Sequence, residues 1–169
     1  RGKMFHSARW DHSYSLSGKR VAVIGTGASA IQIVTSIAPQ VAKLAVFQRT
    51  PPWIMPKRDH AITEVQQHRF ARHPAVQRAA RSLIYLAHEL LALGFVIEPK
   101  ILEVISRLVR KFLQKSIPDP ELREKLTPHY AMGCKRILIS NDYYPALRRD
   151  NVELVTSPID RITETGIRT

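Results

Sequence analysis

Lys19 to Thr50, KRVAVIGTGASAIQIVTSIAPQVAKLAVFQRT, decides how the rest of the chain is read. A basic start leads into an apolar run, Val21 to Ile24, and then into the turn Gly25-Thr26-Gly27-Ala28-Ser29-Ala30. A helical stretch follows, and a second apolar run closes the segment at Leu44 to Phe47. Strand, tight turn, helix, strand is the order of a dinucleotide-binding βαβ unit. Gly25 permits the sharp exit from the strand, and Gly27 lets the backbone approach a pyrophosphate with no Cβ in the way. Ala30 is small enough for the helix to pack close to the sheet. The helix N-terminus offers free N–H groups to an anion.

The end of the second strand chooses between cofactors. An NAD site carries an Asp or Glu about 20 residues past the glycines, where it binds the ribose. Here that zone reads Phe47-Gln48-Arg49-Thr50, with no acid. The Arg49 guanidinium is a fork of donors suited to a 2′-phosphate, and Thr50 adds a hydroxyl. NADPH is expected over NADH.

Composition narrows the classes. At 169 residues with 44% hydrophobic side chains, the chain can bury a core as one domain or as part of a larger one. Its 26 Lys and Arg against 14 Asp and Glu give a formal charge of +12. Those cations are scattered through helical segments, with no zinc-ligand spacing and no RNA-binding aromatic signature, which argues against a nucleic-acid partner. A cofactor with several phosphates is a sufficient anionic partner. No metal site is expected. Cys134 is the single cysteine, so no internal disulfide forms, and a reducing, cytoplasmic setting is expected. No signal peptide is recognised. The chain opens on Arg1 and ends at ETGIRT, which reads as the middle of a hairpin, so both ends are expected to be cut.

Four segments are expected: an arm (1–18), the βαβ unit (19–58), a helical insertion (59–128) and the remainder of the domain (129–169). In the arm, Gly2, His6 and Trp10 recur every four residues with Asp11 behind, and Ser17-Gly18 punctuates its end. Pro51, Pro52 and Pro56 flank Trp53 and Met55, which predicts an extended loop. Trp53 either covers a bound cofactor or pins a surface loop. Ala75 to Leu93 reads as a helix ending near Gly94. Pro99 to Ser116 reads as another, with Ile101, Ile105, Leu108 and Phe112 on one stripe and Leu102, Val109 and Leu113 beside it. Pro118-Asp119-Pro120 starts a short helix, Glu121 to Leu126. The apolar run SLIYLAHELLALGFVI is interrupted by His88 and Glu89 and is shorter than the roughly 20 residues of a membrane span. It is expected to be a core helix, with peripheral membrane contact as the minority reading. Arg136 to Ser140, Asn151 to Thr156 and Ile159 to Thr163 read as short strands, and Gly166 as a turn.

Cys134-Lys135-Arg136 places two cations together at the start of a short strand. Alternation would send them to opposite faces, one toward a phosphate and one toward a reaction centre. Ion pairs with Asp142, Asp150 or Glu153 are the simpler structural reading. Cys134 has no His/Asn dyad placed beside it and is read as structural.

Taken together these stretches resemble the flavin-dependent Baeyer–Villiger monooxygenases, within the flavin-containing monooxygenases. Gly2-x-x-x-His6-x-x-x-Trp10-Asp11 is similar to the family fingerprint, whose leading Phe would precede Arg1. The GTGASA turn resembles the family's second, NADPH-binding glycine motif, and Gln48-Arg49-Thr50-Pro51 the segment after it. Cys134-Lys135-Arg136, with Asp142-Tyr143-Tyr144 and Arg149-Asp150-Asn151-Val152 downstream, resembles the stretch around the family's active-site arginine.

The resemblance implies a Rossmann-like α/β domain with a helical insertion, belonging to a flavoprotein with two dinucleotide-binding domains. It implies that Gly25, Thr26, Gly27, Ala28, Ser29, Ala30 and Gln48 belong to the NADPH site. Arg49, Thr50 and Lys135 would bind the 2′-phosphate. Arg136 would hold the anionic flavin peroxide that inserts one oxygen atom of O₂ into a ketone, giving an ester or lactone. Gly2, His6, Trp10 and Asp11 would lie in the linker between the FAD and NADPH domains. The FAD-binding glycine motif is not among these residues, so the segment alone is expected to be inactive, with most of the FAD site elsewhere. An N- or S-oxygenating relative and a non-catalytic NADP-binding remnant are the alternatives.

Overall fold

A computed structural model describes residues 2–57, 59–97 and 99–169. Arg58, at the expected end of the βαβ unit, lies outside them. The strand–turn–helix–strand expectation holds: β1 is Arg20–Ile24, α1 Ala28–Ile37 and β2 Lys43–Phe47. After a two-residue strand, β3 (Ile54–Met55), the chain enters four helices: α2 Glu64–Arg72, α3 Pro74–Val96, α4 Pro99–Ser116 and α5 Pro120–Lys125. It returns through β4 (Leu138–Ile139), a short helix α6 (Tyr143–Leu147) and β5 (Val152–Val155), and closes with the hairpin β6 (Arg161–Ile162) and β7 (Ile167–Arg168). The main sheet is parallel, in the order β1-β2-β5, with Val23 opposite Val46 and Val46 opposite Leu154.

One face of this sheet makes the core. Val21, Val23, Leu44, Val46, Val152 and Leu154 meet Ile31, Val34 and Ile37 of α1, Leu113 of α4, and Tyr143, Tyr144 and Leu147 of α6. Asn151 fixes the crossover by donating from Nδ2 to the Ala38 and Val41 carbonyls at 2.8 and 2.9 Å. The helical insertion is therefore built onto the sheet. Its last turns, through Ile117 and Leu126, belong to the same core.

The structure corrects several expectations. The predicted Pro-rich loop contains β3, which pairs parallel with β4 through Ile54–Leu138 and Met55–Ile139. Helix α6 carries no periodic signal in the sequence. Gly94 does not end α3, which runs on to Val96. Gly94 is buried there because α4 packs against it, and a Cβ would stand 3.1 Å from Ile101 Cβ. On α4 the buried line is Leu102, Val109 and Leu113, while Leu108 is exposed. The core-helix expectation for α3 fails: Leu83, Ile84, Tyr85, Leu86 and Leu90 are each more than half exposed. At 23 residues α3 is also long and apolar enough to cross a membrane by length and composition.

Candidate functional site

The carboxyl ends of β1, β2 and β5 open into a cleft of about 800 Å³, where open α/β sheets place their ligands. Ile24 to Ala28 form its floor, Phe47 to Thr50 and Pro52 one wall, and Tyr130, Lys135, Arg136 and Leu138 another, with Thr156 to Ile159 closing the end. A smaller hollow of about 410 Å³, which includes Asp119, Arg148 and Asp150, lies at the opposite end of β5.

The floor is shaped for an anion. Gly25 has φ +105°, a conformation that disfavours any side chain, and its N–H donates to the Phe47 carbonyl at 2.9 Å. Among the described residues no side chain caps the head of α1, whose N-cap is Gly27, so the first-turn N–H groups of that helix are left for a ligand. The Thr26 hydroxyl donates to the Thr50 carbonyl at 3.2 Å, tying the turn to the end of β2. Ala28 lines the cleft, whereas Ser29 and Ala30 do not.

Arg49 is exposed on one wall and Thr50 half-buried beside it. Gln48, by contrast, is only 3% exposed. Its Nε2 donates to the Lys125 carbonyl at 2.7 Å, and its Oε1 is buried with no partner among the described residues. Lys135, whose ammonium lies 4.8 Å from the centre of the Tyr130 ring, and Arg136 line the same cleft.

The expected geometry of these two cations is corrected. β4 begins only at Leu138, so Lys135 and Arg136 lie in irregular backbone, strand alternation does not apply, and both line one cleft. Among the described residues neither makes an ion pair with Asp142, Asp150 or Glu153, and Glu153 instead pairs with Lys43 at 2.7 Å. Cys134, read as structural, is exposed.

That wall has an unexpected support. The stretch 48–57 lies along the returning chain. Gln48 is bonded to Lys125 and Trp53 Nε1 to the Tyr130 carbonyl at 3.1 Å, both at a separation of 77 residues. Farther on, the Lys57 N–H donates to Asn141 Oδ1 at a separation of 84. The change in register leaves residues 131–137 as a bulge at the cleft. Met132 plugs that bulge against Trp53 and Val109. Trp53 is thus neither a cofactor cover nor a surface pin; it is 2% exposed and holds the bulge's base. Sequence reasoning missed Tyr130 and the wall at Thr156 to Ile159, neither of which carries a motif.

The arm stands apart from the cleft. His6 Nδ1 accepts from the Ala8 N–H at 3.1 Å and opens a single helical turn at Ser7–Arg9. Trp10 meets Phe5 edge-on at 5.1 Å and packs against the core. Asp11 pairs with Lys3 at 2.9 Å, and the Gly2 N–H reaches the Glu164 carbonyl at 3.4 Å. None of Gly2, His6, Trp10 and Asp11 lines the cleft.

Comparison with known proteins supplies the context. The family described as flavin-binding monooxygenase-like matches residues 1–70. A Baeyer–Villiger monooxygenase of Pseudomonas aeruginosa is 53% identical over 98% of this chain, and another of Streptomyces coelicolor is 48% identical over 95%. The chain spans 32% and 31% of their lengths, about a third. Among solved structures, cyclohexanone monooxygenase from Rhodococcus sp. Phi1 bound to NADP⁺ superposes on 99% of the chain with a TM-score of 0.77 and 27% identity, the match covering 38% of that protein.

Proposed function

From the premise that the chain belongs to the flavin-binding monooxygenase family, we propose that it is the NADPH-holding segment of a Baeyer–Villiger-type monooxygenase. The observation that carries this reading is one cleft with three anion-binding features. These are a Gly25 turn open to close approach, an uncapped helix head, and Arg49 and Lys135 lining the same cleft with no acidic partner among the described residues. Gly25, Thr26, Gly27 and Ala28 would cradle the pyrophosphate, with Ser29 and Ala30 setting the helix behind them. Arg49, Thr50 and Lys135 would take the 2′-phosphate, which distinguishes NADPH from NADH.

FAD, which would be held mostly by polypeptide beyond these residues, would supply the O₂ chemistry by which a ketone becomes an ester or lactone. Arg136 lines the same cleft, and its guanidinium is suited to stabilising negative charge that would develop there. A small-molecule substrate and O₂ are the partners consistent with the relatives.

Titration of the intact protein with NADPH and NADH tests the site. NADPH should bind more tightly. Arg49→Ala and Lys135→Ala should each weaken it by about tenfold, as for loss of one charge-assisted contact, with little change for NADH. Arg136→Ala should leave NADPH binding in place while product formation is lost. Equal affinity of the wild-type protein for the two nucleotides would overturn the phosphate assignments.

For α3 the reading is contact with an anionic membrane surface. Its exposed Leu83, Leu86 and Leu90 lie near the exposed cations Arg78 and Arg81, and vesicle sedimentation is the measurement that decides it.

A further inference from the structure

We infer that Gln48 is a positioning residue, a tether that sets Lys135 in the same cleft as Arg49, rather than a ligand of the cofactor. This rests on reading the cleft as an NADPH site.

The amide of Gln48 is almost wholly buried, and its Nε2 caps the carbonyl of Lys125, the last residue of α5. That carbonyl is one of those a helix C-terminus leaves unsatisfied. From it the chain runs directly into the wall that carries Lys135 and Arg136. The next tie is Trp53 to Tyr130, at the same separation of 77 residues, and β3–β4 pairing fixes the far side. Residues 48–55 therefore tie the returning chain at Lys125, ahead of the bulge, at its entry (Tyr130) and at its exit (β4). Gln48 makes the first of these ties and is the immediate neighbour of Arg49. A single segment thus presents one cation and anchors the loop bearing the other.

The residue type supports a directional role. A methionine would fill much the same space with no buried polar atoms, yet here an amide is kept whose Oε1 has no partner among the described residues, an arrangement that costs desolvation. The amide cannot be reversed to relieve this, because Oε1 would then face the Lys125 carbonyl. What glutamine supplies, and methionine does not, is an N–H aimed at Lys125. Holding the two cations at a fixed separation before the ligand arrives reduces the ordering cost of binding a phosphate between them.

The test is a thermodynamic cycle on the intact protein, with dissociation constants for NADPH and NADH. Gln48→Met should weaken NADPH by about tenfold, roughly the worth of one charge-assisted contact, and leave NADH unchanged. In a Lys135→Ala background Gln48→Met should add no further loss, because the contact it positions is already gone. Gln48→Asn keeps the amide but shortens its reach, and should reproduce the effect if the methionine variant does not fold. A simply structural role would weaken both nucleotides alike and add fully in the double variant; either result overturns the tether. A wild-type protein that does not distinguish NADPH from NADH would instead overturn the site reading itself.

Discussion

Asp11 shows how a single half-buried residue of the arm can be strongly tuned. Its carboxylate accepts from the Ser13 hydroxyl at 2.6 Å and the Ser13 N–H at 3.1 Å, and it pairs with Lys3 at 2.9 Å. The Ser13 hydroxyl bond is the largest cause, with the Lys3 contact next, and together they bring the carboxyl from 3.8 down to about 2. The folded value lies below the unfolded one. The stabilisation is therefore complete above about pH 4 and is lost as pH falls through about 2. Carboxyl-carbon NMR should give Asp11 a midpoint near 2. Ser13→Ala should raise that midpoint more than Lys3→Ala does. The reverse order would mean that the ion pair, and not the turn, holds the arm in shape. The contact with Lys3 lies in solvent, so this tuning shapes the arm locally and adds little to global stability.

Among the elements, the bulge before β4 depends on Gly133. Its φ of +100° suits glycine, and an added Cβ would stand 3.1 Å from the Phe95 ring and 3.3 Å from Leu102. Gly133→Ala should cost about 1–2 kcal/mol, mainly through backbone strain, read as a lower thermal midpoint. It should also weaken NADPH binding, since Lys135 lies two residues on. An unchanged midpoint would show that the bulge has another conformation of equal stability. This element also marks where sequence reading fails. β1, α1 and β2 are legible because their signals are local: a glycine turn between two apolar runs. The bulge is set by pairing with residues 77 and 84 positions away, so no local pattern places Lys135 and Arg136 on one cleft. β3 and α6 are too short for periodicity to register. On α4, 101/105/108/112 and 102/109/113 both fit helical spacing, and only packing against Trp53 and the sheet decides which is buried. The exposure of α3 was illegible for a related reason: an apolar helix looks the same whether or not anything covers it.

At the scale of the molecule, two surfaces await cover. The second face of the parallel sheet is open at Arg20, Ala22, Ile24 and Glu153, whereas parallel sheets are ordinarily covered on both faces. That face is mixed in character, with the Lys43–Glu153 pair upon it, and suits a further protein layer. The surface of α3 is different. Leu83, Ile84, Tyr85, Leu86 and Leu90 are exposed along it, with the exposed cations Arg78 and Arg81 toward its start and Lys111 and Lys115 on α4. His88 and Glu89 fall within the apolar stretch, which favours lying on a bilayer over crossing it. Anionic lipid adds attraction of about 1 kcal/mol for each cation that reaches the surface, and salt screens it. The intact protein should therefore sediment with phosphatidylglycerol-containing vesicles and much less with phosphatidylcholine alone. Raising the salt should release it. Leu86→Glu with Leu90→Glu should abolish sedimentation while leaving NADPH binding unchanged, because neither leucine lines the cleft. Equal sedimentation with neutral vesicles would remove the role of the cations. No sedimentation with either would mean that protein covers α3 in the intact molecule, and the membrane reading would fall.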